Sequence, residues 1–192
     1  MKRIKRIKRA LGVGFLIVLG LYSSSVYAKP FPPGSVLPSF NMEVADSADL
    51  QAYLGIKDAK TISLSQIPAK LVIVEFFSVF CPVCQGNAPF LNRLYQVVTG
   101  DQALAKDVKI IGVALIGTGE EVALFKERFG VKFPLFFDDP RKTIEGRVNL
   151  RVVPLTLVID KNGKVVMSHD GALKDKDFDA FLIELRKNHG AL

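Results

Sequence analysis

The sequence predicts an α/β fold: a mixed central sheet flanked by helices on both faces, closed by a C-terminal β-hairpin and helix. Two observations carry this. First, three apolar runs, Leu71–Phe77, Val108–Leu115 and Leu155–Ile159, alternate with segments whose apolar residues recur at helical spacing. Uninterrupted apolar strands are those covered on both faces, and strands alternating with helices pair in parallel through right-handed crossovers. Second, Asn162-Gly163 separates Leu155–Ile159 from Lys164–Ser168. That dipeptide is a strong hairpin signal, so the sheet ends in an antiparallel edge.

The chain opens on a basic head, Met1–Arg9, followed by an apolar run, Ala10–Leu21, and then Ser25-Val26-Tyr27-Ala28. Basic head, apolar middle and small residues before a cut are the layout of a secretory signal. Residues 1–28 are therefore expected to be a signal peptide cleaved after Ala28, and the protein to be exported and periplasmic. The alternative is a retained N-terminal anchor, for which the apolar run is short, since a span needs about 20 apolar residues. No cysteine precedes position 81, which excludes a lipid-modified cysteine at the cut. The signal also explains the charge. The chain carries 26 Lys and Arg against 19 Asp and Glu, a net of +7. Six of the basic residues lie in the head, so residues 29–192 hold 20 against 19 and are nearly neutral. The high isoelectric point is thus no argument for nucleic-acid binding.

Residues 29–38 hold Pro30, Pro32, Pro33, Gly34 and Pro38 and read as a Pro-rich leader or tether without a core of its own. Residues 39–192 are expected to form one domain. Ser39–Val44 reads as a short strand, Ala48–Leu54 as a helix, and Thr61–Ser65, alternating at period two, as an edge strand. Leu71–Phe77 is a buried strand. Pro82–Thr99 is a helix with Phe90, Leu91, Leu94, Tyr95 and Val98 on one face. Val108–Leu115 is a second buried strand, and Glu120–Phe129 a helix stopped by Gly130. Pro134–Phe137 is a short strand and Arg141–Arg147 a short helix. After the hairpin, Lys174–Asn188 is an amphipathic helix with Phe178, Phe181, Leu182 and Leu185 inward.

The two cysteines of the chain stand together as Cys81-Pro82-Val83-Cys84, between a buried strand and a helix. That context points to thiol–disulfide exchange. The thiolate is the reacting species, and a helix N-terminus stabilises it through unpaired N–H groups and partial positive charge. With Cys81 at the cap, Pro82 falls at the first helical position, which proline tolerates. The Val83 and Cys84 amides are then the candidate donors to the Cys81 sulfur. Cys84, one turn in, is the resolving thiol. Half of a zinc site is a poor alternative, because only His169 and His189 remain as partners and lack ligand spacing. An inert structural disulfide is also poor, because a two-residue gap closes too small a loop to stabilise much. No cofactor or metal is expected.

Four separated segments resemble the thioredoxin superfamily, and within it the exported TlpA-like redoxin branch. They are Val74–Cys84, with its strand leading into the dithiol; Pro89, where the family carries a helix-kinking proline; Val152-Val153-Pro154-Leu155-Thr156, similar to the family's cis-proline loop; and Ile159–Lys164, the hairpin. Phe133–Asp139 is also similar to that branch. The resemblance spans about Pro38 to Leu185 and implies a thioredoxin-like fold for 39–192. It implies a cis Pro154 beside the dithiol, with Val153 free to pair in strand fashion with a substrate chain. From the residues alone, a trans proline opening an edge strand stays open. Glu75, the one charge in its apolar run, lies where the resemblance puts a buried acid. Desolvation would raise its pKa and let it take a proton from the resolving thiol; the other reading takes Glu75 to solvent at the strand end. Phe80, Pro82 and Val83 are expected at the substrate-binding rim, while Phe76, Phe77 and Phe90 are core. Two positions depart from the pattern. Phe80 stands where many relatives carry Trp, and Asn87 where some TlpA-like reductases carry an acid. Asn87 is expected on the helix surface, and His169 in solvent on the hairpin.

The function expected is an exported thiol–disulfide oxidoreductase acting on protein substrates with cysteines or disulfides. The resemblance implies a reductase, as in reducing apocytochrome cysteines, supplied with electrons by a membrane thiol relay. Two other readings remain. A thiol peroxidase is favoured by Ser78 three residues before Cys81 and disfavoured by Val74, where that chemistry needs proline. A redox-fold assembly factor would bind unfolded chains by a Phe-rich rim and leave the dithiol unexplained.

Overall fold

The computed structural model describes residues 31–44, 47–138, 141, 143–150 and 152–192. The expected signal, 1–28, lies outside the described residues. Among the described residues no helix is long and apolar enough to cross a membrane.

The elements run β1 (Asn41–Glu43), α1 (Ala48–Leu54), β2 (Thr61–Ser63), β3 (Leu71–Ser78), α2 (Pro82–Gly100), α3 (Gln102–Asp107), β4 (Val108–Ile116), α4 (Gly119–Arg128), β5 (Leu135–Phe137), α5 (Thr143–Val148), β6 (Leu155–Asp160), β7 (Val165–Asp170) and α6 (Phe178–Gly190). The central sheet has the order β5-β4-β3-β6-β7. β3, β4 and β5 are parallel, and β6 and β7 run antiparallel to their neighbours. β1 and β2 form a separate antiparallel pair. The mixed sheet, its covering helices and the terminal hairpin and helix are those read from the sequence.

β3 is buried along its whole length because it lies at the centre of the sheet, with a core on each face. Its side chains alternate between the two cores, as a period of two requires. Leu71, Ile73 and Phe77 pack beneath α2, α4 and α6, with Phe90, Leu91, Leu94, Phe125, Phe178 and Phe181. Val72, Val74 and Phe76 pack with Leu54 of α1, Ile144 and Val148 of α5 and Met42 and Ile62 of the small sheet.

Local chemistry sets the element ends. Ser47 caps α1 by accepting the Leu50 amide. Thr118 and Glu121 form a reciprocal capping box at α4. The buried Asp138 accepts the Ile144 and Glu145 amides at the start of α5. α3, absent from the sequence reading, begins where Asp101 accepts the Ala103 and Leu104 amides. Its six residues bury only Leu104, too little for a periodic signal. The hairpin turns through Gly163 at φ +78°, with Asp160 accepting the Asn162 and Lys164 amides.

Over its described part the Pro-rich segment is docked on β7. Gly34 N donates to Val165 O, Val165 N to Ser35 O, and Leu37 N to Gly163 O, all at 2.8–2.9 Å. Leu37 lies in the core. Proline cannot donate to a ladder, but Gly34, Ser35 and Leu37 can, and that suffices to cover an edge.

Across the sheet, Glu75 of β3 stands opposite Gly112 of β4 and Thr156 of β6, and Thr156 stands opposite His169 of β7. Gly112 is closely packed. A Cβ there would lie 2.5 Å from Leu135 Cδ2 and 3.2 Å from Phe77 Cε1. Gly112→Ala is therefore expected to destabilise the protein by about 1–3 kcal/mol through overpacking, read as a lower midpoint in urea unfolding. An unchanged midpoint would show that Leu135 yields without cost.

Candidate active site

β3 delivers the chain to Ser78, and a tight turn through Val79 and Phe80 leads into α2. Cys81 is the N-cap of α2, held by Cys81 N donating to Ser78 O at 3.2 Å and Gln85 N donating to Cys81 O at 3.0 Å. Its extended backbone points Sγ back over the helix start, where it accepts the Cys84 amide at 3.3 Å. Pro82 occupies the first turn, where its missing N–H costs nothing. Of the two amides expected as donors, the Cys84 amide is the one on the sulfur. Both cysteines are free thiols; Cys81 is half-buried and Cys84 buried.

The Val153–Pro154 peptide is cis. This loop lies against the dithiol, with the Cys81 thiol donating to Val153 O at 3.8 Å. Phe80, Val83 and Val152 are 61%, 49% and 51% exposed, so an apolar rim surrounds the one accessible sulfur. Pro82 is exposed on the same rim. Phe80 also walls a cavity of about 310 Å³ with Gln85, Leu124, Arg128 and Phe129. Phe76, Phe77 and Phe90 are core.

Glu75 does not reach solvent. It is 5% exposed, and its Oε1 accepts Asn87 Nδ2–H at 2.8 Å. Burial pushes its carboxyl up to about 8, while the Asn87 hydrogen bond pulls the other way. Asn87 corrects one expectation. It is fully buried, not on the helix surface, and its Oδ1 accepts the Leu173 amide at 2.9 Å. A backbone N–H can only donate, so this contact orients the amide and presents Nδ2 to Glu75. The Cys84 thiol is pushed up, by burial first and then by the Cys81 sulfur; Glu75 adds to it.

His169 corrects another. It is half-buried, and its Nε2 lies 3.2 Å from Ala172 O. Its position two strands from Glu75 is set by cross-strand register, which single-sequence patterns do not carry. Asn87 was findable: it follows Cys84 by three residues, the helical spacing that puts both on one face. Among the described residues no group of His, Cys, Asp or Glu is placed to hold a metal ion.

Glu75 should impose a pH dependence on stability. Its carboxyl is neutral in the folded and unfolded chain below about pH 4.5, so its stabilising contribution is then fully present. As pH rises towards 8 the unfolded chain ionises first, and stability falls by at most about 5 kcal/mol before levelling. Glu75→Gln should remove that slope. The check is urea unfolding of both proteins from pH 5 to 9, and parallel curves would refute a desolvated Glu75. Asn87→Leu leaves the Leu173 amide and the Glu75 carboxyl without this partner. It should cost about 2–4 kcal/mol and move the Glu75 titration higher, followed by its carboxyl infrared band.

The AhpC/TSA family model matches residues 33–168. The thiol–disulfide oxidoreductase ResA of Bacillus thuringiensis (strain Al Hakam) is 30% identical over 125 residues, 65% of this chain and 69% of that protein. ResA of Geobacillus thermodenitrificans is 25% identical over 177 residues, 89% of this chain and 91% of that protein. Among solved structures, one described as a thiol:disulfide interchange protein DsbE from Chlorobium tepidum superposes with a TM-score of 0.62 at 20% identity, covering 83% of this chain and 99% of that one. At that identity the structural likeness speaks for the fold. The family match covers most of the chain and includes the dithiol and the cis-proline loop, so the protein belongs to the AhpC/TSA family, as a TlpA-like member of the thioredoxin superfamily.

Proposed function

We propose that this thiol–disulfide oxidoreductase is an exported reductase of protein disulfides that works through Cys81 and Cys84. The observation that carries the reading is the placement of one accessible sulfur. Cys81 Sγ sits at the start of α2 under the Cys84 amide and 3.8 Å from the Val153 carbonyl beside cis Pro154. A substrate strand lying along Val153 would bring its disulfide over that sulfur.

The Cys81 thiolate attacks one substrate sulfur, the substrate S–S bond breaks, and its other sulfur leaves with the electron pair. Glu75, as carboxylate, takes the proton of the Cys84 thiol. The Cys84 thiolate then attacks Cys81 Sγ, forming the Cys81–Cys84 disulfide and releasing the second substrate thiolate. Substrate is reduced by two electrons and the dithiol oxidised by two. A base poised near neutrality suits this step, and burial places Glu75 there.

Direction rests on the balance of the thiols. A strong oxidant owes its potential to a heavily stabilised reduced form. Here the Cys84 thiol is pushed up, and a single amide donates to the Cys81 sulfur. That supports electron donation. In an oxidising compartment the dithiol must be re-reduced, so we assign it a membrane thiol relay as partner. The signal-like residues 1–28 support export.

Cys84→Ser should trap a substrate mixed disulfide on Cys81, seen as a thiol-labile adduct by mass spectrometry, while Cys81→Ser traps none. The reduction potential should lie near about −270 mV, as in thioredoxin, not near about −120 mV, as in a dithiol oxidase. The higher value would reverse the direction. Rapid peroxide consumption by Cys84→Ser with a supplied thiol would replace the reading with a peroxidase.

A further inference from the structure

We infer that Glu75 exchanges its proton with solvent along a row of side chains that crosses the sheet, through Thr156 of β6 to His169 of β7. The inference rests on the role proposed above for Glu75 and says how that acid is reset.

The row follows from register. Glu75 faces Thr156, and Thr156 faces His169, in consecutive antiparallel pairs. Directly opposed residues project to the same face, with Cβ atoms about 4.5–5.5 Å apart. Their strand neighbours confirm the face. Val74, Phe76, Leu155 and Leu157 belong to the opposite core, while Ile73, Phe77, Val158 and Met167 lie on the face beneath α2 and α6. Three proton-bearing side chains therefore stand abreast, spanning about 10 Å from the central strand to the edge strand.

Thr156 is the unexplained member. It is 1% exposed, and its Oγ1 has no hydrogen-bond partner among the described residues. A buried unpaired hydroxyl costs about 1–3 kcal/mol, and valine would fill the same space without that cost. A hydroxyl can accept one proton and give up another, so a position between an acid and a base is one where it has work that valine cannot do. Thr156 Oγ1 stands beyond direct hydrogen-bond reach of both neighbours, so the route we infer takes a water into each gap.

His169 supplies the exit. The Ala172 carbonyl can only accept, so Nε2 carries a proton and Nδ1 is the basic nitrogen of the neutral ring. The ring is half-buried on the edge strand of the central sheet, between interior and solvent. β4 presents Gly112, walled by Leu135, Phe77 and Phe133. α2 presents the Asn87 amide and the Cys84 thiol, which is the proton source. Asp170, next along β7, projects to the opposite side.

The sequence of transfers is balanced. Glu75 holds the proton taken from Cys84. It passes by way of a bridging water to Thr156 Oγ1 as the hydroxyl proton moves, through a second water, to His169 Nδ1, and the ring hands a proton on to solvent. Thr156 ends unchanged, and Glu75 is a carboxylate again. With its carboxyl near 8, Glu75 is mostly protonated at neutral pH and must lose a proton before each resolving step, so this route would limit that step.

The test is stopped-flow reaction of the reduced full chain with a peptide disulfide carrying a coloured leaving thiol on each sulfur. The first phase reports attack by Cys81 and the second resolution by Cys84. Thr156→Val and His169→Phe should each slow the second phase at pH 7 by about tenfold or more, with the equilibrium reduction potential unchanged, since a relay acts on rates alone. Added imidazole should restore the second phase in His169→Phe. Parental second phases in both variants would overturn the inference, as would slowing that imidazole does not relieve. Glu75→Gln separates the two readings. If it slows the second phase while the other variants do not, only the relay falls; if it has no effect, the role of Glu75 falls and the relay with it.

Discussion

A carboxyl in the middle of a strand buried on both faces is the constraint around which this protein is arranged. Desolvating an ionised carboxylate is costly, and a chain that places one there must keep it neutral or supply donors. Here it does both. The carboxyl is pushed up by burial, and Asn87 gives it a hydrogen bond. Asn87 can do so because its own oxygen is held by the Leu173 amide, and Leu173 is held by the loop that follows β7. Gly112 leaves the β4 side filled by Leu135, Phe77 and Phe133 rather than by a further polar group. The polarity around Glu75 is thereby confined to α2 on one side and β6–β7 on the other.

The same strand that buries Glu75 ends three residues before Cys81, so the acid and the dithiol share one rigid support. The two sulfurs are made unequal by that support. Cys81 sits on the helix cap with an amide on its sulfur and an exposed apolar rim around it. Cys84 lies one turn inside, buried, with its thiol pushed up by desolvation and by its neighbours. Under the proposed exchange, the order of attack would follow from this inequality: the accessible sulfur would meet substrate first, and the enclosed one would react once a base had taken its proton.

Much of this was legible in the residues because it is written in local patterns. The buried strand 71–77, the dithiol at a helix start and the Asn-Gly hairpin each announce themselves within a few residues. Glu75 was legible as the one charge in an apolar run. What escaped is what depends on register and docking. Nothing near Asn87 in sequence says that Leu173 will meet it across 86 positions. Thr156 and His169 read as an ordinary strand threonine and a hairpin histidine until pairing sets Thr156 beside Glu75 and His169 beside Thr156. The proline-rich segment reads as a tether because its prolines dominate the composition, while its docking is done by Gly34, Ser35 and Leu37.

The loop Gly171–Leu173 joins these parts more closely than the chain order implies. Gly171 N donates to Pro154 O at 2.9 Å, on the cis-proline loop beside Cys81. Ala172 O receives the His169 ring, and Leu173 N holds the Asn87 amide that serves Glu75. Three consecutive residues thus touch the cis-proline loop, the edge histidine and the partner of the buried acid. Gly171 has a φ of +81°, a conformation that side-chain-bearing residues seldom adopt, so the reversal that brings all three contacts together depends on a glycine there. A strand of substrate laid along Val153 would press on Pro154, and the Gly171 amide that holds the Pro154 carbonyl belongs to the segment that positions Asn87. The surface that would receive a disulfide and the interior that would move its proton are therefore held by one piece of chain.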